Sequence, residues 1–285
     1  MDRTFWRVIA TDEKALPQGE WVAELAPELL SWLGSTDAEL RDEFAYRILA
    51  AWIERDQFEP DQLRDMAAQM LANLQIGLGE PGGDSVFLRS YSTLVLMEIV
   101  AYDNAHSFLG KDEIPRILDA VLDYLRQECD LRAWIEGPGW AHAIAHTADL
   151  LMMLGRNLQV GPAELERLLE GMADRLLQPC GAVFVQHEDE RLAYAALNVL
   201  RRGLVGRGFL DRWLDRFTHP AGRDSWRLVY MMDGESAARA NVTGFLRSLY
   251  FQLILTENPP PEATEHLAAV LATLESMDIG FYALG

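Results

Sequence analysis

An apolar stripe that recurs at a step of 51 residues constrains the fold of this chain more than any other feature. Apolar residues at positions i, i+3, i+4, i+7, i+8 and i+11 form one face of an amphipathic helix. The stripe begins at Leu63, Ile114 and Leu165, and again two steps later at Leu267, while a shorter version begins at Leu210. A constant step of this length is typical of a helical-repeat protein, in which each repeat buries its apolar face against the next.

Between the stripes lie second helices that are apolar on most sides, which predicts that neighbouring helices cover them. These helices are predicted over residues 38–54, 85–102, 140–154, 190–201 and 236–255, after a leading helix at 20–33. The pattern predicts an all-α fold, namely an α-solenoid of about five stacked hairpins in a HEAT- or armadillo-like superhelix. We expect a single domain over 1–285, with the hairpin repeats at 37–278. The alternative is a helical bundle without repeats, because any amphipathic helix carries such a stripe.

The chain is acidic, with 25 Lys and Arg against 44 Asp and Glu and a formal net charge of −19 over 285 residues. This excess argues against nucleic acid and against an anionic membrane as partners, since both are bound through Lys and Arg. No apolar run approaches the roughly 20 residues of a membrane helix. The first residues form no signal peptide, and the two cysteines, Cys129 and Cys180, are interpreted as free thiols of a reducing compartment. A cytoplasmic protein is therefore predicted, and the scarcity of lysine beside arginine is typical of a GC-rich bacterial gene.

One segment stands apart by its chemistry. A Gly-Pro-Gly turn at 137–139 leads into a predicted helix on which His142, His146 and Asp149 share one face. His142 is expected in the first helical turn, where the helix dipole keeps an imidazole neutral. The residue 51 positions before Asp149 is Glu98, an acid inside an apolar run, so Glu98 is expected to face the same space. Because a buried carboxylate is costly without compensation, Glu98 is also expected to have a partner.

Three interpretations of this segment stay open. Histidines four residues apart on a helix can reach one ion, so a divalent metal, zinc or manganese, is predicted at His142, His146 and Asp149. The second interpretation is a pocket without metal, with His142, His146 and Glu98 as the candidate catalytic residues. The third is a purely structural network of hydrogen bonds. No Glu follows the first His, so the motif is not that of the zinc proteases.

Two hypotheses of function follow from the repeat and this segment. The first is a scaffold whose concave groove binds a protein, a peptide or a small molecule, and the acidic charge favours a basic partner. The candidate groove residues are Glu43, Tyr46, Arg89, Tyr91, Trp140, Arg191 and Asn241. The second hypothesis is a metal-assisted hydrolase, in which the metal lowers the pKa of a bound water and a carboxylate moves its proton.

Several segments are distinctive enough to compare with known families. They lie at 84–90, 188–193 and 245–251, and the most specific is the Gly-Trp-Ala-His run at 139–142 with His146 and Asp149. Together they resemble an uncharacterised bacterial family known only as a domain of unknown function, over most of the chain from 33 to 255. The resemblance implies a bacterial protein and is consistent with a helical-repeat fold. It implies no activity and no catalytic residues.

Overall fold

The computed structural model describes residues 1–220, 226 and 234–277, and it divides the chain into two compact units, Met1–Met153 and Leu154–Gly285. The predicted repeat range extends through 221–225, 227–233 and 278, which lie outside the described residues. The single domain expected from the sequence stays a prediction.

Helices dominate both units, so the all-α prediction is confirmed. The first unit contains α1 (Arg3–Thr11), α2 (Val22–Trp32), a π-helix (Glu39–Tyr46), α3 (Arg47–Glu54), α4 (Pro60–Asn73), α5 (Ser85–His106), α6 (Glu113–Gln127), the strands β1 (Trp134–Ile135) and β2 (Gly139–Trp140), and most of α7 (Ala143–Arg156). The second unit contains the end of α7 and then α8 (Pro162–Leu177), α9 (Glu188–Arg201), α10 (Arg207–Thr218), α11 (Glu235–Leu255) and α12 (Ala263–Met277). In the described part of the chain, no helix is long and apolar enough to cross a membrane.

The apolar stripes form the buried faces of α4, α6 and α8. Leu63, Ile114 and Leu165, which begin the three stripes, are at most 1% exposed. The stripe expected from Leu267 is confirmed in part in α12, where Val270 and Leu274 are buried as the pattern predicts. Leu271 is instead 39% exposed, and Thr273 takes a buried position that the apolar pattern does not include.

The core of the first unit is rich in tryptophan. Trp6 of α1 and Trp52 of α3 are fully buried, and their ring centroids lie 6.5 Å apart. The indole N–H of Trp52 donates to the carbonyl of Lys14 at 2.9 Å, so the buried polar atom is satisfied. Trp32 packs edge-to-face on Trp6, with ring centroids 5.6 Å apart. These contacts hold α1, a short helix that the sequence analysis did not predict, against α2 and α3.

The second unit is built around α11, which packs against α8, α9 and α12. Phe245 of α11 lies against Trp213 and Phe217 of α10, with ring centroids 6.1 and 5.8 Å apart. The indole N–H of Trp213 donates to the carbonyl of Leu169 at 2.8 Å. The short stripe that begins at Leu210 is thus the buried face of α10.

Candidate functional site

A short hairpin precedes α7. Its strands pair antiparallel, with Trp134 opposite Trp140 and residue 135 opposite Gly139. Gly139 has a φ of +87°, a backbone conformation that side chains rarely allow. The predicted turn at 137–139 is therefore the turn of a hairpin, and the helix begins three residues later than the turn suggests.

A buried arginine ties this hairpin to the π-helix. Arg41 is fully buried, and its Nη2 donates to the carbonyl of Pro138 at 2.7 Å and to Asp42 at 2.8 Å. Its guanidinium carbon also lies over the rings of Phe87 and Tyr91, 4.2 and 4.9 Å from their centroids. Arg41 was not among the predicted site residues, because its neighbours Glu39, Asp42 and Glu43 give the segment no sign of a buried charge.

His142 lies before α7 rather than in its first turn, so that part of the prediction is wrong. Its φ is +47°, and its carbonyl accepts the first helical hydrogen bond from the N–H of His146 at 2.9 Å. His142 is thus the residue that caps the N-terminus of α7, at the positive end of the helix dipole. The buried ring of His142 stacks on Trp140, with centroids 4.2 Å apart and planes inclined by 30°.

His146 is held by Ser90 of α5. The Ser90 Oγ donates to the carbonyl of Ala141 and lies 2.7 Å from Nδ1 of His146. The sequence analysis did not select Ser90, but the 51-residue step does relate it to Ala141, because positions 90 and 141 are 51 apart. His142 and His146 lie close together as predicted, with ring centroids 5.6 Å apart and planes nearly perpendicular.

Aromatic rings form a continuous row from the π-helix to the hairpin, which we call the aromatic row. Neighbouring centroids are 6.2, 5.2, 5.6, 4.2 and 4.7 Å apart. In order, its members are Tyr46, Tyr91, His146, His142, Trp140 and Trp134. The row runs from half-buried Tyr46 through three buried rings to the exposed tryptophans of the hairpin.

Two carboxylates accept hydrogen bonds from the tyrosines of the row. Tyr91 donates to Asp42, whose charge is balanced by Arg41, and Tyr46 donates to Glu98 at 2.9 Å. The expected partner of Glu98 is therefore confirmed, and it is Tyr46. The two residues stand 52 positions apart, close to one repeat step.

The environment of Glu98 disfavours its charge. Burial raises the pKa of Glu98, the hydrogen bond from Tyr46 opposes this, and the charges of Glu54 and Asp149 add to the increase. No cation among the described residues contributes to this balance. The effect of Asp149 supports the expectation that Glu98 and Asp149 face a common space. The pKa of the Tyr46 hydroxyl is raised as well, by burial first and then by the charge of Glu98.

Two of the predicted groove residues lie inside the protein. Arg89 forms a buried two-point ion pair with Glu128, with N···O distances of 2.6 and 2.9 Å, and so neither lines a groove nor balances Glu98. Asn241 is buried in α11, where it accepts from the N–H of Phe184 at 2.7 Å and donates to the carbonyl of Ala182 at 3.1 Å. Both predictions are wrong for the same reason. A polar side chain on an inner helix can form hydrogen bonds or ion pairs with buried groups instead of facing solvent.

Tyr91 is also buried, whereas the other groove candidates lie at or near the surface. Glu43 is exposed and pairs with Arg47 at 3.2 Å, one helical turn away. Arg191 is a half-buried residue of α9 in the second unit. Trp140 is 37% exposed, whereas Tyr91 is 1% exposed and contributes its ring to the interior of the aromatic row.

The metal prediction concerns His142, His146 and Asp149, which lie in the part of the chain that the structure describes. There, no group of three or more His, Cys, Asp or Glu side chains is arranged to hold a metal ion. Nδ1 of His146 lies within hydrogen-bond distance of Ser90 Oγ. Zinc or manganese at His142, His146 and Asp149 stays a prediction.

These observations define the protein as a helical one with a polar and aromatic site built from the π-helix, α5, the hairpin and α7. The chain matches the family DUF2785, described as a protein of unknown function, over residues 70–251, and it belongs to this family. The match includes Glu98, Trp140, His142 and His146 but begins after the π-helix. No curated protein and no solved structure matches the chain.

Proposed function

We propose that the site in the first unit binds a cationic group, an ammonium or a guanidinium, carried by a peptide, a protein or a small molecule. The observation that carries this proposal is the aromatic row with Glu98 at one end, a half-buried carboxylate whose hydrogen-bond partner is the neutral Tyr46. A cation beside Glu98 would compensate the charge that burial disfavours.

Aromatic rings and carboxylates together suit organic cations. A cation within about 6 Å of a ring centroid is attracted by the negative face of the ring, most strongly by tryptophan. Trp134 is 54% and Trp140 37% exposed, so the hairpin end of the row is open to a ligand. A guanidinium or ammonium is attracted by a ring face and by a carboxylate at once, whereas both repel an anion, and an apolar group gains only from contact with the ring.

The charge of the unit favours the same kind of ligand. Residues 1–153 contain 27 Asp and Glu against 12 Lys and Arg. Such an excess raises the local concentration of cations and speeds their association. The acidic surface would therefore attract a basic ligand, and the aromatic row would bind its cationic group.

We further propose that the site is carried by a helical-repeat scaffold. Side-chain contacts between positions about one step apart support this, since Tyr46 contacts Glu98 over 52 positions, Ser90 contacts Ala141 over 51, and Tyr91 contacts Asp42 over 49. A repeat of 51 residues brings equivalent positions of neighbouring repeats together, and repeat proteins use such surfaces for binding.

The test is a titration of the full chain with triarginine and with the citrulline peptide of the same length, which has the same shape without the charge. We expect triarginine to change the tryptophan fluorescence through Trp134 and Trp140, and the citrulline peptide to bind at least about tenfold more weakly, as expected for losing a hydrogen bond to a charged group. Equal binding of the two peptides would contradict the proposal.

Matched variants separate the site from general attraction to an acidic protein. Glu98→Gln keeps the shape and the hydrogen bond from Tyr46 but removes the charge, and we expect it to weaken triarginine binding by about tenfold. Glu43→Gln removes an exposed charge of the same sign and should leave binding nearly unchanged. If both variants weaken binding equally, the interaction is diffuse and the site is not the aromatic row.

A metal-assisted hydrolase at His142, His146, Asp149 and Glu98 remains the alternative function, and a structural network remains the third interpretation. Purified, untagged protein with added Zn²⁺ or Mn²⁺ tests the metal directly. An increase in Tm that His146→Ala abolishes would favour the hydrolase over cation binding. A large loss of stability in His146→Ala without any metal effect would favour the structural network.

A further inference from the structure

Arg156 and Arg201 of the second unit share a neutral acceptor, and their described hydrogen bonds all end on neutral groups, although the chain has many more acids than bases. Arg156, at the end of α7, donates from Nε to Oδ1 of Asn198 at 2.8 Å and from Nη2 to the hydroxyl of Tyr194 at 3.3 Å. Arg201, at the end of α9, donates from Nη1 to the same Oδ1 at 3.3 Å. Two guanidiniums therefore converge on one neutral oxygen, and we call these four residues the arginine cluster.

Hydrogen bonds to neighbouring groups fix the side chains of Asn198 and Arg201 in the cluster. Asn198 is buried, and its Nδ2 donates to the backbone carbonyl of Tyr194 at 2.7 Å, which turns Oδ1 toward the guanidiniums. Arg201 is fixed by two further bonds, from Nε to the carbonyl of Asn258 at 2.9 Å and from Nη2 to Oγ1 of Thr256 at 2.7 Å. Its charge is thus held in place before any ligand arrives, which reduces the entropy lost on binding.

Part of the arginine cluster is exposed to solvent. Tyr194 is 38% exposed and Arg156 is also exposed, while Arg201 is half-buried. The guanidinium carbons of Arg156 and Arg201 lie 5.8 and 5.6 Å from the centroid of the Tyr194 ring. The pKa of the Tyr194 hydroxyl is lowered, mainly by hydrogen bonding with Arg201 and further by the charge of Arg156, so the cluster acts as a positive environment.

Capping of helix ends does not account for Arg156. A cation near the C-terminus of a helix usually satisfies its last carbonyls. At the end of α7 another residue does this, because Arg202 donates to the carbonyls of Gly155, Asn157 and Val160 at 3.1, 2.8 and 3.2 Å. Arg156 is therefore left to point at Asn198 and Tyr194, beside a second positive charge.

We propose that the arginine cluster binds a phosphate group, with Arg156 and Arg201 as its charged donors and Tyr194 as a neutral one. Two guanidiniums match a dianion, and phosphate carries a charge of about −1.5 to −2 at neutral pH. Arginine also presents paired N–H groups that fit phosphate oxygens in a two-point geometry. The phosphate would compensate the repulsion between the two arginines that Asn198 alone cannot neutralise.

The experiment measures binding of sodium phosphate to the full chain by calorimetry, at constant ionic strength and against sodium chloride and sodium acetate. We expect saturable phosphate binding, no response to chloride, and much weaker binding of acetate. Arg156→Gln should weaken phosphate binding by about tenfold or more. Arg207→Gln is the matched control, because Arg207 is an exposed arginine of the same unit that pairs with Asp211 at 3.2 Å.

Several outcomes would overturn the proposal. Equal binding of acetate and phosphate would show a carboxylate site instead, and an equal loss in Arg156→Gln and Arg207→Gln would show unspecific attraction. If Arg156→Gln binds phosphate as tightly as the wild type, the arginine cluster is not the phosphate site. Circular dichroism verifies that this surface variant is folded. Phosphoserine is the second ligand. Binding comparable to inorganic phosphate supports recognition of a phosphate ester, and binding of inorganic phosphate alone supports a site for the free ion.

Discussion

Ser90 of α5 lies 2.7 Å from Nδ1 of His146 while its hydroxyl proton is donated to the carbonyl of Ala141. A hydroxyl has one proton and a carbonyl can only accept, so the proton between Ser90 and His146 must belong to the imidazole. A neutral His146 is therefore the Nδ1–H tautomer, and its Nε2 carries the lone pair. Ser90 is a poor candidate for an activated nucleophile, because its proton is directed away from the histidine.

This relationship is testable by ¹⁵N NMR of the imidazole rings. We expect Nε2 of His146 to show the shift of an unprotonated nitrogen in wild type, and Ser90→Ala to shift the ring toward a mixture of tautomers. Ser92→Ala is the control, because Ser92 is on the same helix and accepts from Asn73 at 3.1 Å. A wild-type ring with its proton on Nε2 would contradict the assignment.

Glu98 predicts a pH dependence of stability. Burial raises its folded-state pKa above the ordinary value of 4.5. A group with a raised folded pKa stabilises the fold at pH values below its unfolded pKa, and this contribution is lost as the pH rises through the folded pKa. Glu98→Gln resembles the protonated acid, so we expect the variant to gain stability relative to wild type as the pH rises from about 4 to 7.

Thermal unfolding across that pH range measures the difference. Glu43→Gln is the control for a lost negative charge, and as an exposed surface change it should alter the free energy of unfolding by no more than about 0.5 kcal/mol at any pH. If the Glu98→Gln and wild-type curves are parallel over the range, the raised pKa is disproved.

The buried pair of Arg89 and Glu128 should dominate the stability of its surroundings. Glu128→Ala leaves a buried guanidinium without its carboxylate, and we expect a loss of about 3–5 kcal/mol in the free energy of unfolding in urea. The double change Arg89→Met with Glu128→Leu removes both charges and should cost much less, since apolar pairs of similar volume often replace buried ion pairs. A double variant as unstable as Glu128→Ala would show that shape rather than charge matters here.

An exposed pair provides the comparison. Arg126 and Asp123 are 2.5 Å apart on α6, and the arginine side chain is 64% exposed. We expect Arg126→Gln to change the free energy of unfolding by about 1 kcal/mol at most, because surface ion pairs are screened by solvent. A loss comparable to that of Glu128→Ala would contradict the importance of burial.

The helices could be predicted because their signal is local. The stripe that begins at Ile114 is complete within one helix, and the structure buries it as α6. The π-helix at 39–46 was read as part of an ordinary helix, since its apolar residues fit that period as well. The hairpin has strands of two residues each, which is too short for any alternating pattern to appear.

The site was predicted in part. His142, His146 and Glu98 were found because the residue types are unusual for their positions, and the 51-residue step related Glu98 to the same region. Arg41 and Ser90 were missed, because their importance comes from contacts with the carbonyls of Pro138 and Ala141. Every residue has a backbone carbonyl, so the sequence does not indicate which carbonyl will accept such a hydrogen bond.

By itself, the sequence determined most of the helices, the spacing of their apolar stripes and the need of Glu98 for a partner, because periodicity and the cost of a buried charge are properties of single segments. Only the tertiary structure decided that the partner is Tyr46, that Arg89 belongs to Glu128, and that His142 precedes its helix and stacks on Trp140. The reason is that a polar group accepts any partner of suitable chemistry. Atoms distant in the chain must be brought within about 3 Å before one partner is selected.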